Sequence, residues 1–160
     1  MNFRNPTIKD LEPIYQIESI CFPPNEAASL DSFSKRLQVF PQHFWLLEDK
    51  GQLIGYINGM VTDNQTIVDE MFAQAELHND NGTWQSIFGI AVLPEYRNNG
   101  YGGKLINLLI EKVKEQNRTG ITLTCKKYLI PYYEKFGFAD LGISRSVHGG
   151  EIWHDMILKF

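Results

Sequence analysis

The chain has 160 residues, 43% of them hydrophobic, enough for one sizeable core and too few to make two domains the expectation, so residues 1–160 are read as a single domain. Its 15 lysines and arginines against 19 acidic residues leave a net charge of -4, which excludes a general field for nucleic acid or anionic lipid and suits a small basic, amine-bearing partner. Cys21 and Cys125 have no zinc or Cys-x-x-Cys spacing, and there is neither a bilayer-length apolar run nor a signal-peptide pattern; no metal and a cytoplasmic protein are expected.

Leu11, Ile14, Tyr15, Ile17 and Ile20 recur at helical spacing, and Pro13 is tolerated only in a first turn, so a helix over Leu11–Ile20 capped by Asp10 is predicted. Pro23-Pro24 breaks it, and a second helix covers Leu30–Phe40. Phe44–Glu48 and Leu53–Val61 read as an antiparallel hairpin around Asp49-Lys50-Gly51-Gln52. Gln65–His78 has helical spacing, and Trp84–Leu93, apolar between Gly82 and Pro94, is predicted as a central strand buried on both faces. Tyr101–Gln116 is the clearest amphipathic helix, with Leu105, Leu108, Leu109 and Val113 on one face. A strand over Ile121–Cys125, a short helix over Leu129–Phe136 and a last strand over Ile152–Leu158 complete the order.

The strand-to-helix turn Arg97-Asn98-Asn99-Gly100-Tyr101-Gly102 sets unpaired amides at the positive end of a helix dipole, a place for a phosphate. Gly100 and Gly102 permit unusual backbone angles and close approach, and Arg97 adds a charge-assisted contact. A Walker loop would need Ser or Thr after Gly103-Lys104, where Leu105 stands; the same Leu105 replaces the third glycine of a Rossmann fingerprint.

The run from Ile90 through Pro94-Glu95-Tyr96-Arg97 to Gly102 resembles the acetyl-CoA motif of the GNAT acetyltransferase superfamily, and Tyr132-Tyr133-Glu134-Lys135-Phe136-Gly137-Phe138 resembles the motif that follows it there. Cys21-Phe22-Pro23-Pro24, Asp69-Glu70-Met71-Phe72 and Ser146–Gly150 extend the likeness to bacterial and fungal relatives of arylalkylamine (serotonin) N-acetyltransferase, over nearly the whole chain. The resemblance implies a GNAT fold of mixed α/β class: a central mixed, largely antiparallel sheet, splayed at its middle strands, with helices on both faces. It also implies acetyl-CoA as cosubstrate, with Ile90, Ala91 and Val92 on pantetheine and the thioester, and Asn98, Asn99, Gly100, Tyr101, Gly102 and Gly103, with Arg97, at the pyrophosphate.

By the same resemblance Tyr133 is the general acid, a phenol still protonated at neutral pH that donates to the leaving thiolate, with Tyr132 as the fallback. Vertebrate relatives carry two histidines on the central strand where this chain has Ser86 and Phe88, so the proton acceptor must come from Glu70, Asp69, Glu26, His78, His148 or His154, of which Glu70 is taken first. Phe22, Pro23, Glu26, Met71, Phe72, Phe88 and His148 are the expected amine-side residues. The expectation is acetyl transfer to a primary arylalkylamine or polyamine by a monomer or homodimer. A protein N-terminus or lysine as acceptor, and a CoA-binding protein without turnover, are the alternatives.

Overall fold

In the computed structural model, which describes residues 1–160, the chain opens on a strand absent from the sequence reading, β1 (Asn2–Arg4). α1 (Leu11–Cys21) follows, but Asp10 does not cap it. The Asp10 carboxylate turns back to the Thr7 amide at 2.7 Å and to Arg4 at 2.7 Å, closing a 3-10 turn over Ile8–Asp10. α2 (Leu30–Val39) is capped by Ser29, whose Oγ accepts from the Ser32 amide at 3.1 Å. β2 (Phe44–Asp49) and β3 (Gln52–Asn58) form the expected hairpin, turned by Lys50 and Gly51 at φ 51° and 78°.

Beyond the hairpin come β4 (Val61–Thr62) and α3 (Glu70–Ala73), a single turn where a long helix was expected. Residues 65–69 instead wrap inward to bury Ile67, and Met71 Sδ accepts the Val68 amide at 3.4 Å. β5 (Trp84–Ile87), β6 (Gly89–Val92), α4 (Tyr101–Glu115), β7 (Gly120–Cys125) and α5 (Ile130–Glu134) lead to β8 (Ala139–Ile143), another strand not anticipated, and β9 (His154–Lys159).

The strands form two sheets, β1-β2-β3-β6 and β4-β5-β7-β9-β8, antiparallel throughout except for β5 beside β7. Trp84–Leu93 is therefore not one strand buried on both faces: it breaks at Phe88, and Phe88 to Ile90 are only partly buried. The reason is a close crossing. A Cβ on Gly59 would lie 1.9 Å from the Ser86 carbonyl oxygen, so only glycine lets the two chains meet there, and the ladder changes partner on either side. Buried Gln85 donates from Nε2 to the Gly59 and Ser86 carbonyl oxygens at 2.8 Å each, supplying donors at the break. After it β6 pairs with β3 alone and β7 with β5 and β9, so the sheet opens between β6 and β7.

Helices cover both faces. Leu105, Ile106, Leu109 and Val113 of α4 pack with Ile54, Ile57, Ile121 and Leu123 on one side; each buried side chain contributes about 1.5–3 kcal/mol. Ile14 and Ile17 of α1 and Phe33 and Leu37 of α2 pack with Leu46, Tyr56 and Ala91 on the other.

Candidate active site

A hollow of about 280 Å³ lies at the start of α4, running from Val92 and Arg97 past Gly100–Gly103 to Tyr132. The backbone amides of Asn98 through Gly103 donate to no acceptor in the chain; the next amide, of Lys104, bonds Gly100 O at 3.0 Å. Gly100 stands at φ 76° with nothing within 4 Å of a would-be Cβ, so glycine is needed there for its backbone angle. At Gly102 and Gly103 the need is different. A Cβ would meet Tyr132 Oη at 3.1 Å and the Phe136 ring at 3.3 Å, so these two glycines let α5 approach α4. Asn99 braces the loop by donating to Tyr96 O and Arg97 O, and exposed Arg97 donates to Val92 O at 3.0 Å. Undonated amides, a dipole end and a neighbouring guanidinium fit a pyrophosphate.

A larger cavity of about 710 Å³ occupies the opening between β6 and β7. Ile90 lines it from β6, and Leu123 and Cys125 from β7. Tyr133 reaches it from α5, its ring edge-on to Tyr132 at 5.2 Å and to Phe138 at 6.0 Å. Burial, reinforced by Cys125 and two neighbouring tyrosines, holds the Tyr133 phenol above its ordinary range, so it carries its proton at neutral pH. Burial likewise pushes the Cys125 thiol up to about 11.

The far wall is built by three segments distant in sequence. Asn25 Nδ2 donates to Gly149 O at 2.8 Å, and His148 Nε2 lies 2.8 Å from Glu26 O, joining the α1–α2 loop to residues 146–153. Asp69 accepts from Ser146 Oγ and, at 3.1 Å, from the Val147 amide, tying the turn of α3 to the same loop. Phe22, Pro23, Glu26, Phe72, Phe88 and His148 all line the cavity, with the Phe72 and His148 rings 4.7 Å apart.

Two expected residues are elsewhere. Met71 is 1% exposed and packs with Phe40, Met60 and Ile67, because the single turn of α3 sends it into the core. Glu70 is exposed and does not line the cavity, since the same turn leaves it facing outward; it is displaced as first choice of proton acceptor. Of the other candidates, His148 lines the cavity with its Nε2 engaged by Glu26 O, and four are held by partners. Asp69 is held by Ser146 and Val147, and Glu26 pairs with Lys126 at 3.2 Å. His78 lies beside His43 and Asp80, and His154 pairs with Asp140 at 3.2 Å. Ser86 is buried and donates to Met60 O at 2.7 Å.

The sequence reading missed Glu18, Arg36 and Trp153, which also line the cavity. Glu18 and Arg36 are 7% and 4% exposed, and a signal existed for both: they share the helical stripes of Ile14, Ile17 and of Phe33, Leu37, where a charge is out of place in a core. Arg36 donates to Asn58 Oδ1 at 3.1 Å and Phe72 O at 3.0 Å and packs against the Phe33 and Phe88 rings; burial lowers its guanidinium to about 10, still a cation at neutral pH.

Comparison with known proteins agrees with this geometry. The chain is 26% identical over 144 residues to serotonin N-acetyltransferase of Mesocricetus auratus, covering 88% of this chain and 68% of that protein. It is 27% identical over 149 residues to a putative [ribosomal protein bS18]-alanine N-acetyltransferase of Bacillus subtilis (strain 168), covering 91% and 85%. Among solved structures, the loading GNATL domain of CurA from Lyngbya majuscula superposes with a TM-score of 0.86 at 17% identity, covering 99% of this chain and 96% of that one. Residues 11–138 match the acetyltransferase (GNAT) family model, and the chain, with its cleft in the sheet and its bare amides at α4, belongs to that family of acetyl-CoA-dependent acyltransferases.

Proposed function

We propose that this acyltransferase moves the acetyl group of acetyl-CoA to a small primary amine with an aromatic or alkyl tail, and that residues 1–160 act as one catalytic domain. The observation that carries the reading is the cavity between β6 and β7, which is lined by Phe22, Phe72, Phe88 and Trp153 and bridged over its far wall by the contacts of Asn25, His148 and Asp69. Aromatic rings favour an aromatic tail, and the bridged wall favours a small molecule over a polypeptide. The pyrophosphate is held by the amides of Asn98 to Gly103, and pantetheine runs along Ile90, Ala91 and Val92 into the opening. Tyr133 is the acid, delivering a proton to sulfur as the C–S bond breaks.

A peptide N-terminus is the second reading. The alanine N-acetyltransferase relative favours it, as do exposed Val147 and Ile152 on the loop that lines the cavity. A panel of arylalkylamines, polyamines and alanine-initiated peptides, followed by thiol release from acetyl-CoA, separates the readings. Arylalkylamines are expected to turn over with the highest kcat/KM. A preference for peptides would replace the first reading with the second, and CoA binding without turnover of any amine would leave a binding protein.

A further inference from the structure

With Ser86 and Phe88 where vertebrate relatives hold histidines, and Glu70 outside the cavity, the proton acceptor has to be sought among the groups that line it. We infer that Glu18 of α1 is that acceptor: its carboxylate receives the incoming ammonium and takes its proton. The inference rests on the acyl-transfer reading above.

Three carboxylates line the cavity: Glu26 is paired with Lys126, Asp69 is tied to the 146–153 loop through Ser146 and Val147, and Glu18 lies in direct reach of the first residue of β6. It is held by two neutral donors, the Tyr56 hydroxyl on Oε1 and the Ala28 amide on Oε2 at 2.8 Å. Each oxygen therefore keeps a lone pair for a further donor. Its place is beside the acyl site. A Cβ built on Gly89, the first residue of β6, would lie 4.0 Å from Glu18 Oε1, and Gly89 directly precedes Ile90, where the thioester is expected. The charged and titratable groups around it are Arg36 from α2, Tyr56 from β3 and Cys21 from its own helix. Arg36 offsets the buried negative charge without a direct ion pair. Burial and the Glu18 charge hold the Tyr56 phenol well above its ordinary range, so Tyr56 remains a donor that orients the carboxylate and acts as a positioning residue.

The protons balance. The ammonium N–H bond breaks, its proton passes to Glu18, and the electron pair stays on nitrogen. That pair forms the C–N bond to the thioester carbon. The C–S bond then breaks with its electrons on sulfur, which takes the Tyr133 proton. The nitrogen's second proton restores the phenol through solvent, Glu18 releases its proton to solvent, and one proton leaves per acetyl transferred.

The test compares wild type with Glu18→Gln on two acceptors, an alkylamine that is cationic at pH 7 and an aromatic amine that is neutral there. With the alkylamine, kcat/KM at pH 7 is expected to fall about a hundredfold and to climb back toward wild type as pH approaches the amine's own pKa. With the neutral amine the two proteins should differ by less than about threefold. An equal loss on both amines, or one unchanged with pH, would assign Glu18 a purely structural role and overturn the inference. Should Glu18→Gln fail to fold, Tyr56→Phe serves: it removes a donor that orients the carboxylate, so kcat/KM at pH 7 is expected to fall more with the cationic alkylamine than with the neutral amine, and an equal loss on both is the overturning result. If wild type itself turns over no amine, it is the acyl-transfer reading that falls; if wild type is active and the variants match it, only the role of Glu18 does.

Discussion

Tyr133 and Glu18 come to one cavity from opposite layers, Tyr133 from the apolar cluster under α4 and Glu18 from the layer of α1 and α2. Tyr133 is held by its surroundings in the protonated state its proposed task needs. For Tyr133 burial is the main cause of that state, and removing its hydroxyl removes the proton without opening a large void. Tyr133→Phe is therefore expected to lower kcat by about a hundredfold while leaving the acetyl-CoA dissociation constant within twofold, the first read by thiol release and the second by calorimetry. A variant with wild-type kcat would take Tyr133 out of the mechanism and pass attention to Tyr132, whose hydroxyl sits near Gly102 in the phosphate hollow.

At the scale of elements, the turn between β6 and α4 is shaped by its backbone angles and by the bonds of Asn99 and Arg97. Asn98 and Gly100 both have positive φ, at 65° and 76°, which is what turns successive amides toward one hollow. At Gly100 space is not the constraint, so Gly100→Val acts through the backbone: a β-branched residue there costs roughly 1–2 kcal/mol. Acetyl-CoA affinity should fall by about tenfold through the same strain, with the melting temperature changed by only a few degrees. Binding equal to wild type in calorimetry would mean that the pyrophosphate lies elsewhere. Much of this element was legible beforehand, because a loop closed by residues adjacent in the chain writes its requirements in consecutive letters. The break at Phe88 was less so. Gly59, Gln85 and Gly89 within apolar strands were its local marks, but only the crossing of two strands reveals why they are there.

Across the whole molecule, the buried pair His43 and His78 gives the fold a pH dependence of its own. Asp80 lies 2.8 Å from His43 Nε2 and 3.4 Å from His78 Nε2, and favours protonation of both. Burial outweighs it, and both imidazoles are held below their ordinary range. The Val61 amide donates to His78 Nδ1 at 3.0 Å, so Nε2 carries the proton, near Asp80 but without a hydrogen bond to it; this trio, though close enough to suggest a metal, has His78 Nε2 protonated where a ligand lone pair is required. The unfolded chain binds protons at these histidines from about pH 6.5 downward, whereas the folded one does not until lower pH. Stability is thus complete above that value and lost as pH falls below it, so the urea midpoint should drop between pH 7.5 and pH 5.5. A midpoint that holds or rises would show that the imidazoles charge within the fold.

Sequence alone marked out the glycine-bearing turn before α4, the pairing of β2 with β3 and the amphipathic helices, since each depends on residues within one turn, hairpin or helical period. β1 and β8 escaped because they are short strands that exist only through their partners β2 and β9. The larger cavity belongs to the tertiary structure: Glu18, Arg36, Phe72, Phe88, His148 and Trp153 line it although they lie on helices, at the break between β5 and β6 and in a loop, spread along most of the chain. The single turn of α3 that buried Met71 and turned Glu70 outward was decided the same way. The physical reason is that local periodicity reports which face of an element is apolar, while the choice between core and cleft depends on where the sheet opens, and that follows from a contact between Gly59 and Ser86 across two strands.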